Sequence, residues 1–149
     1  MIFNRTQKDV KDSQHIVENF VQKGSLLTDE QKAILARGTV TTETLNRIES
    51  KQEEIKKRLN DMGYFSTSIE NKQWLKGDWF FDEDLKRIVK NNSILRKAFF
   101  VYKSTPTNAI AKYHYEEFNR LERILFDLES VMSYVENNYK ICGTFNCGG

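Results

Sequence analysis

Three stretches of this chain carry apolar residues at alternating spacings of three and four positions. The first contains Leu45, Ile48, Gln52, Ile55, Leu59 and Met62. The second contains Leu85, Ile88, Asn92, Leu95, Phe99 and Tyr102, and the third contains Phe118, Leu121, Leu125, Leu128, Met132, Val135 and Tyr139. A heptad spacing of this kind places all members of a set on one side of an α-helix. We therefore predict three long helices, each with an apolar stripe.

Residues that interrupt helices are rare in the chain. Of its 149 residues, one is proline and seven are glycine. This scarcity indicates an all-α fold, because proline and glycine mark turns and the ends of helices. We predict one helical domain at 1–140, packed as a bundle, and an extended, glycine-containing tail at 141–149. Within the domain we expect one or two short helices at 1–38, long helices at 41–63, 82–103 and 113–140, and an aromatic loop at 64–81.

Capping patterns support several of these boundaries. Capping boxes occur at Thr6–Asp9 and at Thr28–Gln31, ahead of the two short helices. The expected N-cap of the first long helix is Thr41 or Thr42, and that of the second is Asp82. The expected helix ends are three of the four glycines of the domain, Gly24, Gly38 and Gly63.

Two of the three apolar stripes contain one amide side chain, Gln52 in the first and Asn92 in the second. One interpretation places each amide at a half-exposed position near an end of the helices, and we favour it. The other places it in the core, where a buried amide costs stability and fixes the register or the number of packed helices.

A seven-residue pattern starts two of the predicted long helices. Glu43–Glu49 reads E-T-L-N-R-I-E, and Glu116–Glu122 reads E-E-F-N-R-L-E. The pattern fits either a duplicated segment or a repeated way of starting a helix, and we favour the latter because the flanking segments differ. We predict that the Asn-Arg pairs beside the apolar stripes orient one helix against another. These residues are Asn46, Arg47, Asn119 and Arg120.

No group of residues in the sequence is typical of catalysis. His15 and His114 lack the spacing of a metal-binding pair, and no glycine-rich phosphate loop or nucleophile motif is present. The only cysteines are Cys142 and Cys147, whereas a zinc site needs four ligands. We favour two ordinary thiols; a disulfide loop or strand addition by the tail are the alternatives. We predict a chain that is not an enzyme and uses no metal or cofactor.

Charge is unevenly distributed, although the net charge is only +2. Between Leu85 and Tyr115 the chain has no acid and seven bases, Lys86, Arg87, Lys90, Arg96, Lys97, Lys103 and Lys112. Between Glu116 and Glu136 it has six acids and two bases. We expect the basic stretch to pair with the acidic one, within the chain or between copies. The alternative is a nucleic-acid surface, which the small net charge disfavours.

The predicted loop at 64–81 is rich in aromatic residues. They either dock the loop on the helices or form an exposed surface for a protein or a sugar. We take four of them as candidate interface residues, because binding residues often lie on loops: Trp74, Trp79, Phe80 and Phe81. Further candidates are apolar residues near the two ends of the sequence, Ile2, Phe3, Ile141 and Phe145.

The sequence carries no apolar run near the roughly 18 residues that a membrane span needs. Its first residues lack the apolar middle of a signal peptide. We therefore expect a protein without a membrane span that remains in the cytoplasm where it is made.

Several short motifs resemble, in their order, a family of small tail or baseplate structural proteins of phages and phage-like particles (tailocins) from Gram-positive bacteria. The motifs are R-T-Q-K-D-V at Arg5–Val10, T-L-N-R-I-E at Thr44–Glu49, N-D-M-G-Y at Asn60–Tyr64, K-G-D-W at Lys76–Trp79, L-K-R-I-V-K-N-N at Leu85–Asn92 and F-N-R-L-E-R-I-L at Phe118–Leu125. The resemblance covers nearly the whole chain. The chain departs from the family pattern at 31–42 and in the tail, where cysteines replace serines.

The resemblance implies a non-enzymatic structural component of a virion tail, at the baseplate or the attachment of a tail fibre. Such a protein is assembled in the cytoplasm of the bacterial host. Its expected partners are other tail or baseplate proteins and further copies of itself, as a homo-oligomer within the assembly. The alternatives are a tail-tip protein that contacts a receptor or carbohydrate, and a small helical regulatory binding module.

Overall fold

The computed structural model of the chain describes residues 1–64 and 68–138. Its helices are α1 (Gln7–Ile16), α2 (Asp29–Gly38), α3 (Thr42–Asp61), α4 (Asp82–Ala98) and α5 (Tyr115–Asn138), and α1 continues into a π-helical turn at Val17–Val21. No strand occurs within the two described ranges, so the prediction of an all-α fold is confirmed. The predicted tail, with Ile141, Cys142, Phe145 and Cys147, lies outside the described residues.

The first two helices form a hairpin. Each begins with its predicted capping box, at Thr6–Asp9 and at Thr28–Gln31. α2 ends at Gly38, where it crosses α1. A Cβ atom on Gly38 would lie 2.1 Å from the Asp9 carbonyl oxygen and 2.0 Å from Ser13 Oγ, so the crossing requires glycine.

The fourth predicted helix is shorter than expected. α4 begins at Asp82, and its N-cap is Phe81, whose amide donates to the Asp84 carboxylate (3.2 Å). The expectation that Asp82 is the cap is therefore wrong. α4 ends at Ala98 rather than at 103, because Phe99 is already extended, with φ −142° and ψ 170°. Its ring is nevertheless buried, so the apolar stripe continues past the end of the helix.

The core lies between α3, α4 and α5, each of which packs against the other two. We call these the core helices. Their fully buried side chains include Ile48, Ile55, Leu59, Leu85, Ile88, Leu95, Leu121, Leu125, Leu128 and Met132. All ten belong to the apolar stripes, and their removal from water is the main stabilising contribution to the fold.

The three core helices run in the same direction. Three ion pairs advance together along α3 and α5, Arg47–Glu122, Lys51–Glu129 and Arg58–Glu136. α4 starts beside the start of α3, where the Phe80 ring lies 5.5 Å from that of Trp74, which binds Asn46. It ends beside the end of α3, where the Phe99 ring lies 5.0 Å from that of Tyr64. Parallel neighbours cannot be joined by short turns, so the chain must travel back along the core between them.

Two extended connections run back along the core, and we call them the return segments. The first comprises residues 69–74. Its Asn71 side chain donates to Glu53 of α3, and its Trp74 amide donates to Asn46, which is closer to the start of α3. It therefore runs opposite to α3 and ends near the start of α4.

The second return segment, residues 105–111, runs opposite to α5. Its Thr105 side chain binds Asp127, and its Ile110 amide binds Glu117. A third extended stretch, residues 1–5, also runs opposite to α5, because Ile2 contacts Glu122 and Arg5 contacts Asn119, and we call it the N-terminal segment.

The start of each core helix carries one shared pattern. The copies read V-T-T-E-T-L-N-R-I at Val40–Ile48, F-F-D-E-D-L-K-R-I at Phe80–Ile88 and Y-H-Y-E-E-F-N-R-L at Tyr113–Leu121. Each copy has an apolar residue before the N-cap, a glutamate in the first turn, a buried apolar residue two positions later, and an arginine followed by a second buried apolar residue. Because the helices are parallel, the pattern recurs three times around one end of the core, which we call the amino end.

Candidate functional site

The first return segment is held by its backbone to two side chains of α3. Asn46 Nδ2 donates to Trp74 O (2.9 Å), and Trp74 N donates to Asn46 Oδ1 (2.8 Å). One turn later, Glu49 accepts from Lys72 N (2.6 Å) and from Trp74 Nε1 (2.8 Å). These four hydrogen bonds fix the segment along α3 and place the Trp74 indole in the core.

The charge of Glu49 is balanced by Arg87 of α4. Glu49 is 2% exposed, and the guanidinium donates to both of its carboxylate oxygens, at 2.6 and 2.8 Å. These hydrogen bonds to Glu49 raise the pKa of Arg87 above its ordinary value. Arg87 also donates to the Glu70 carbonyl oxygen (2.8 Å), so this one side chain joins α3, α4 and the return segment.

Asn119 and Glu122 of α5 hold the N-terminal segment in the same way. Arg5 N donates to Asn119 Oδ1 (3.0 Å), and Asn119 Nδ2 donates to Arg5 O (2.9 Å). The fully buried Glu122 accepts from Ile2 N, from Arg5 Nη2 (2.8 Å) and from Arg47 Nη2 (2.7 Å). Two guanidiniums therefore converge on one buried carboxylate.

The second return segment is held by different residue types. Thr105 Oγ1 donates to Asp127 Oδ2 (2.7 Å), and Ile110 N donates to Glu117 Oε2 (2.7 Å). From α4, Arg96 Nε donates to the carbonyl oxygen of residue 106 (2.7 Å). Each pair of core helices is thus bridged. The first return segment and Arg87 join α3 to α4, Arg47 and Glu122 join α3 to α5, and the second return segment joins α4 to α5.

The four predicted orienting residues have different roles. Asn46 and Asn119 grip extended backbone, and Arg47 joins α3 to α5 through Glu122. Arg120 pairs with Glu117 of its own helix (3.2 Å) and is exposed.

The two amides of the apolar stripes are buried, so the interpretation of half-exposed positions is wrong. Gln52 is 0% exposed and donates to Ile88 O (2.9 Å). Asn92 is 1% exposed and donates to Leu121 O (3.4 Å). The carbonyl oxygen of each amide has no hydrogen-bond partner, which is a cost to stability.

The aromatic residues of the loop divide into buried and exposed members. Trp74 is 3% exposed, and its ring meets Phe80 edge to face at 5.5 Å. Phe80 is half-buried and meets Tyr113 in the same manner, also at 5.5 Å. Trp79 and Phe81, on either side of Phe80, are 78% and 58% exposed. The loop is therefore docked through Trp74 and Phe80, and it displays Trp79 and Phe81.

The two N-terminal interface candidates are half-buried. The Ile2 amide is bound by Glu122. The Phe3 ring lies 5.1 Å from that of Phe126, and the Arg123 guanidinium lies 5.2 Å from the Phe3 ring centroid.

Within one copy of the chain, the expected pairing of the basic stretch with the acids of α5 is wrong; pairing between copies stays a prediction. The α5 acids Glu122, Glu129 and Glu136 pair with α3. Among the ion pairs of residues 1–64 and 68–138, none joins one of the seven bases of the stretch to α5. The reason is geometric, since the face of α5 that carries these acids packs beside α3.

One cavity of about 250 Å³ lies at the amino end, between the hairpin and α5. Its charged walls are Arg5 and Arg37, which are paired with Glu122 and Asp9 respectively. In the described part of the chain, no three His, Cys, Asp or Glu side chains are placed to hold a metal ion. None of the helices described is long and apolar enough to cross a membrane.

Comparisons with protein families, with curated proteins and with solved structures found no match to this chain.

Several residues that build the site were absent from the sequence predictions. They are Arg5, Glu49, Arg87, Glu122 and Asp127. Glu49 and Glu122 were visible as the last letters of the repeated pattern, but glutamates on helices are usually solvated, which concealed their burial. Arg87 was noted only as one of the seven bases expected to pair with α5, because in its copy of the pattern Lys86 replaces asparagine and Val89 replaces glutamate.

Proposed function

We propose that this chain is a non-enzymatic structural protein that acts through contacts with other proteins. The observation that carries the proposal is the aromatic loop, which is anchored by Trp74 and Phe80 and displays Trp79 and Phe81. Exposed aromatic side chains on a fixed backbone favour tight association, because little conformational entropy is lost when a partner covers them.

The proposed setting is a phage or tailocin tail, at the baseplate or the fibre attachment. It rests on the ordered motifs of the resemblance, of which R-T-Q-K-D-V and the two N-R motifs include residues that hold the extended segments. In this proposal the core helices act as a bundle with heptad stripes inside, and the partners are other tail proteins. The chain then resides in the virion tail after assembly in the host cytoplasm.

The test has two stages. Mass spectrometry of particles purified from the bacterium that encodes this chain should detect it at a fixed number of copies per particle. The double variant Trp79→Ala/Phe81→Ala should then fall at least tenfold in copy number while keeping the circular dichroism of the parent.

The matched control is Leu26→Ala, which removes an apolar side chain that is 99% exposed on the connection between α1 and α2. It should incorporate normally. Absence of the unmodified chain from particles contradicts the tail setting. A Trp79 fluorescence shift with cell-wall glycans, together with normal incorporation of the double variant, would favour the carbohydrate-contacting alternative instead.

A further inference from the structure

The cavity of about 250 Å³ at the amino end has walls from two parts of the fold, and we call it the amino-end cavity. The hairpin contributes Val10 and Arg37 to one side, and α5 contributes Tyr115 and Phe118 to the other. Arg5 and Phe118 are buried, so they lie on the inner side of the cavity. A molecule bound there would contact the hairpin and the core helices at the same time.

The charged side chains that line the amino-end cavity are all cationic. They are Arg5 and Arg37, and His114 adds an imidazole that becomes cationic when it is protonated. Among the described residues that line the cavity there is no aspartate or glutamate. A cleft whose walls carry charge of one sign attracts a ligand of the opposite sign.

The positive charge on the inner side of the cavity is only partly balanced. The guanidiniums of Arg5 and Arg47 share the single carboxylate of Glu122, so this cluster carries one positive charge in excess. Arg5 and Glu122 are buried, and the buried Nε atom of Arg47 has no hydrogen-bond partner. An anion beside Arg5 would balance the excess charge.

Arg37, on the hairpin side, also has unused hydrogen-bond donors. Its Nε donates to Asp9 (3.0 Å), and its Nη2 makes only long contacts to Asn4, at 3.4 and 3.5 Å. Within residues 1–64 and 68–138, the Nη1 atom of Arg37 donates to no acceptor. Hydrogen bonds from a guanidinium to a carboxylate or phosphate are among the strongest that a protein makes.

The remaining walls favour an aromatic ligand of limited size. Tyr113, Tyr115 and Phe118 supply aromatic surface, against which a ring can stack or meet edge to face. Sites for drug-sized ligands usually enclose roughly 300–1,000 Å³. The amino-end cavity lies just below that range, so its volume suits a molecule with one ring.

We propose that the amino-end cavity binds a small anion that carries a single aromatic ring. The acid group lies between Arg5 and Arg37, and the ring packs against Tyr115 and Phe118. A carboxylate and a phosphate ester share this chemistry. The site does not depend on the proposed role in a particle, so it is tested on the purified chain and the two can fail separately.

Isothermal titration calorimetry of the full chain tests the ligand class. The probes are phenylacetate, phenyl phosphate and the neutral phenylacetamide, which matches phenylacetate in shape. At least one anion should bind at one site per chain, and phenylacetamide should bind at least tenfold more weakly than phenylacetate or phenyl phosphate, whichever is tighter. The tighter anion identifies the acid group. Equal binding of the amide, or no binding of either anion at millimolar concentrations, would overturn the proposal.

A cavity-filling variant tests the location. Val40 lines the cavity and is 39% exposed, and Val40→Trp should weaken binding of the tighter anion at least tenfold by occupying the space. The control is Val21→Trp, the same substitution at a hairpin valine that is 45% exposed and does not line the cavity. It should bind like the parent. Parent-like binding by Val40→Trp would place the anion elsewhere and contradict the site.

Removal of one positive charge gives an independent readout. Arg37→Gln should weaken binding at least tenfold, whereas Arg58→Gln, at an arginine that also pairs with one acid but does not line the cavity, should not. Amide exchange shows whether the hairpin stays folded in Arg37→Gln. In the parent, the bound anion should slow exchange in α2, because it joins the hairpin to α5. Equal affinities of the two glutamine variants would exclude Arg37 from the site.

Discussion

Buried carboxylates connect the parts of this protein. Glu49, Glu122 and Asp127 are 2%, 0% and 1% exposed, and each binds a donor from an extended segment as well as an arginine. A buried ion pair adds little net stability over an apolar pair, but removing one partner strands the other charge. These residues therefore specify where the extended segments lie.

Glu122→Gln is the sharpest test of this role. The substitution keeps the shape of the side chain and leaves Arg5 and Arg47 without their shared counter-charge. We expect the free energy of unfolding in urea to fall by about 3–5 kcal/mol. The control Glu116→Gln, at a side chain that is 56% exposed, should change it by less than about 0.5 kcal/mol. Equal midpoints for the two variants would contradict the assignment.

A second prediction concerns the buried amide Gln52. Methionine has a similar shape, and Gln52→Met removes a buried carbonyl oxygen that has no hydrogen-bond partner. We expect the variant to be more stable by about 1 kcal/mol, because an unsatisfied buried polar atom is lost. Lys57→Met, at an exposed position of the same helix, is the control and should be neutral. A destabilised Gln52→Met would mean that the bond to Ile88 O contributes more than the unpaired oxygen costs.

The helices themselves show how far sequence reasoning reaches. The capping boxes at Thr6–Asp9 and Thr28–Gln31 were predicted from local pattern, because a cap depends on residues within one turn. The end of α4 was not, since Phe99 continues the apolar spacing although its backbone is extended. Tertiary packing decides whether a ring is buried. The apolar spacing alone does not show whether a buried residue lies in a helix or in an extended segment.

The crossing of α1 and α2 depends on one hydrogen atom in place of a methyl group. We expect Gly38→Ala to destabilise the hairpin by about 1–3 kcal/mol through overpacking against the Asp9 backbone. Amide exchange should accelerate in α1 and α2 and change little in the core helices. Lys32→Ala, at an exposed position of α2, should leave exchange unaltered. Unchanged protection in Gly38→Ala would show that the helices can separate at no cost.

The hairpin should also respond to acid. Hydrogen bonds from Arg37 and then from Thr6 lower the pKa of Asp9 from 3.8 to about 2. Because the folded pKa is the lower one, this contribution is present above about pH 4 and is lost as the pH falls through about 2. Amide protection of α1 should therefore decline over that window in the parent. In Asp9→Asn, the amide protection of α1 should be weaker at neutral pH and should decline less as the pH falls.

At the scale of the whole molecule, the direction of the core helices could not be predicted. Apolar stripes show that Leu45, Leu85 and Phe118 face inward, but they fit parallel and antiparallel packing equally well. Direction is set by long connections and by distant pairs such as Lys51–Glu129, and neither leaves a local pattern. The copy of the helix-start pattern at Phe80–Ile88 was overlooked because Lys86 and Val89 replace the asparagine and the final glutamate that the other two copies share.

A zero-length carbodiimide crosslink tests the parallel arrangement directly. Lys51 Nζ lies 2.9 Å from Glu129 Oε1, so monomeric protein should yield this link, identified by mass spectrometry. The local pair Lys56–Glu53, at 3.1 Å, provides the control for reactivity. Formation of the local link without the long-range one would contradict parallel packing of α3 and α5.

Parallel packing also sets the moment during translation at which the fold can close. Arg58 and Glu136, which join the far ends of α3 and α5, are 78 residues apart. When α4 has been made, the ribosome must still add about 40 residues before α5 is complete, which takes roughly 2–8 s at typical synthesis rates. During that interval the apolar stripes of α3 and α4 lack the third helix that covers them in the folded core. The nascent chain should be most prone to aggregation, and most dependent on chaperones, just before α5 emerges.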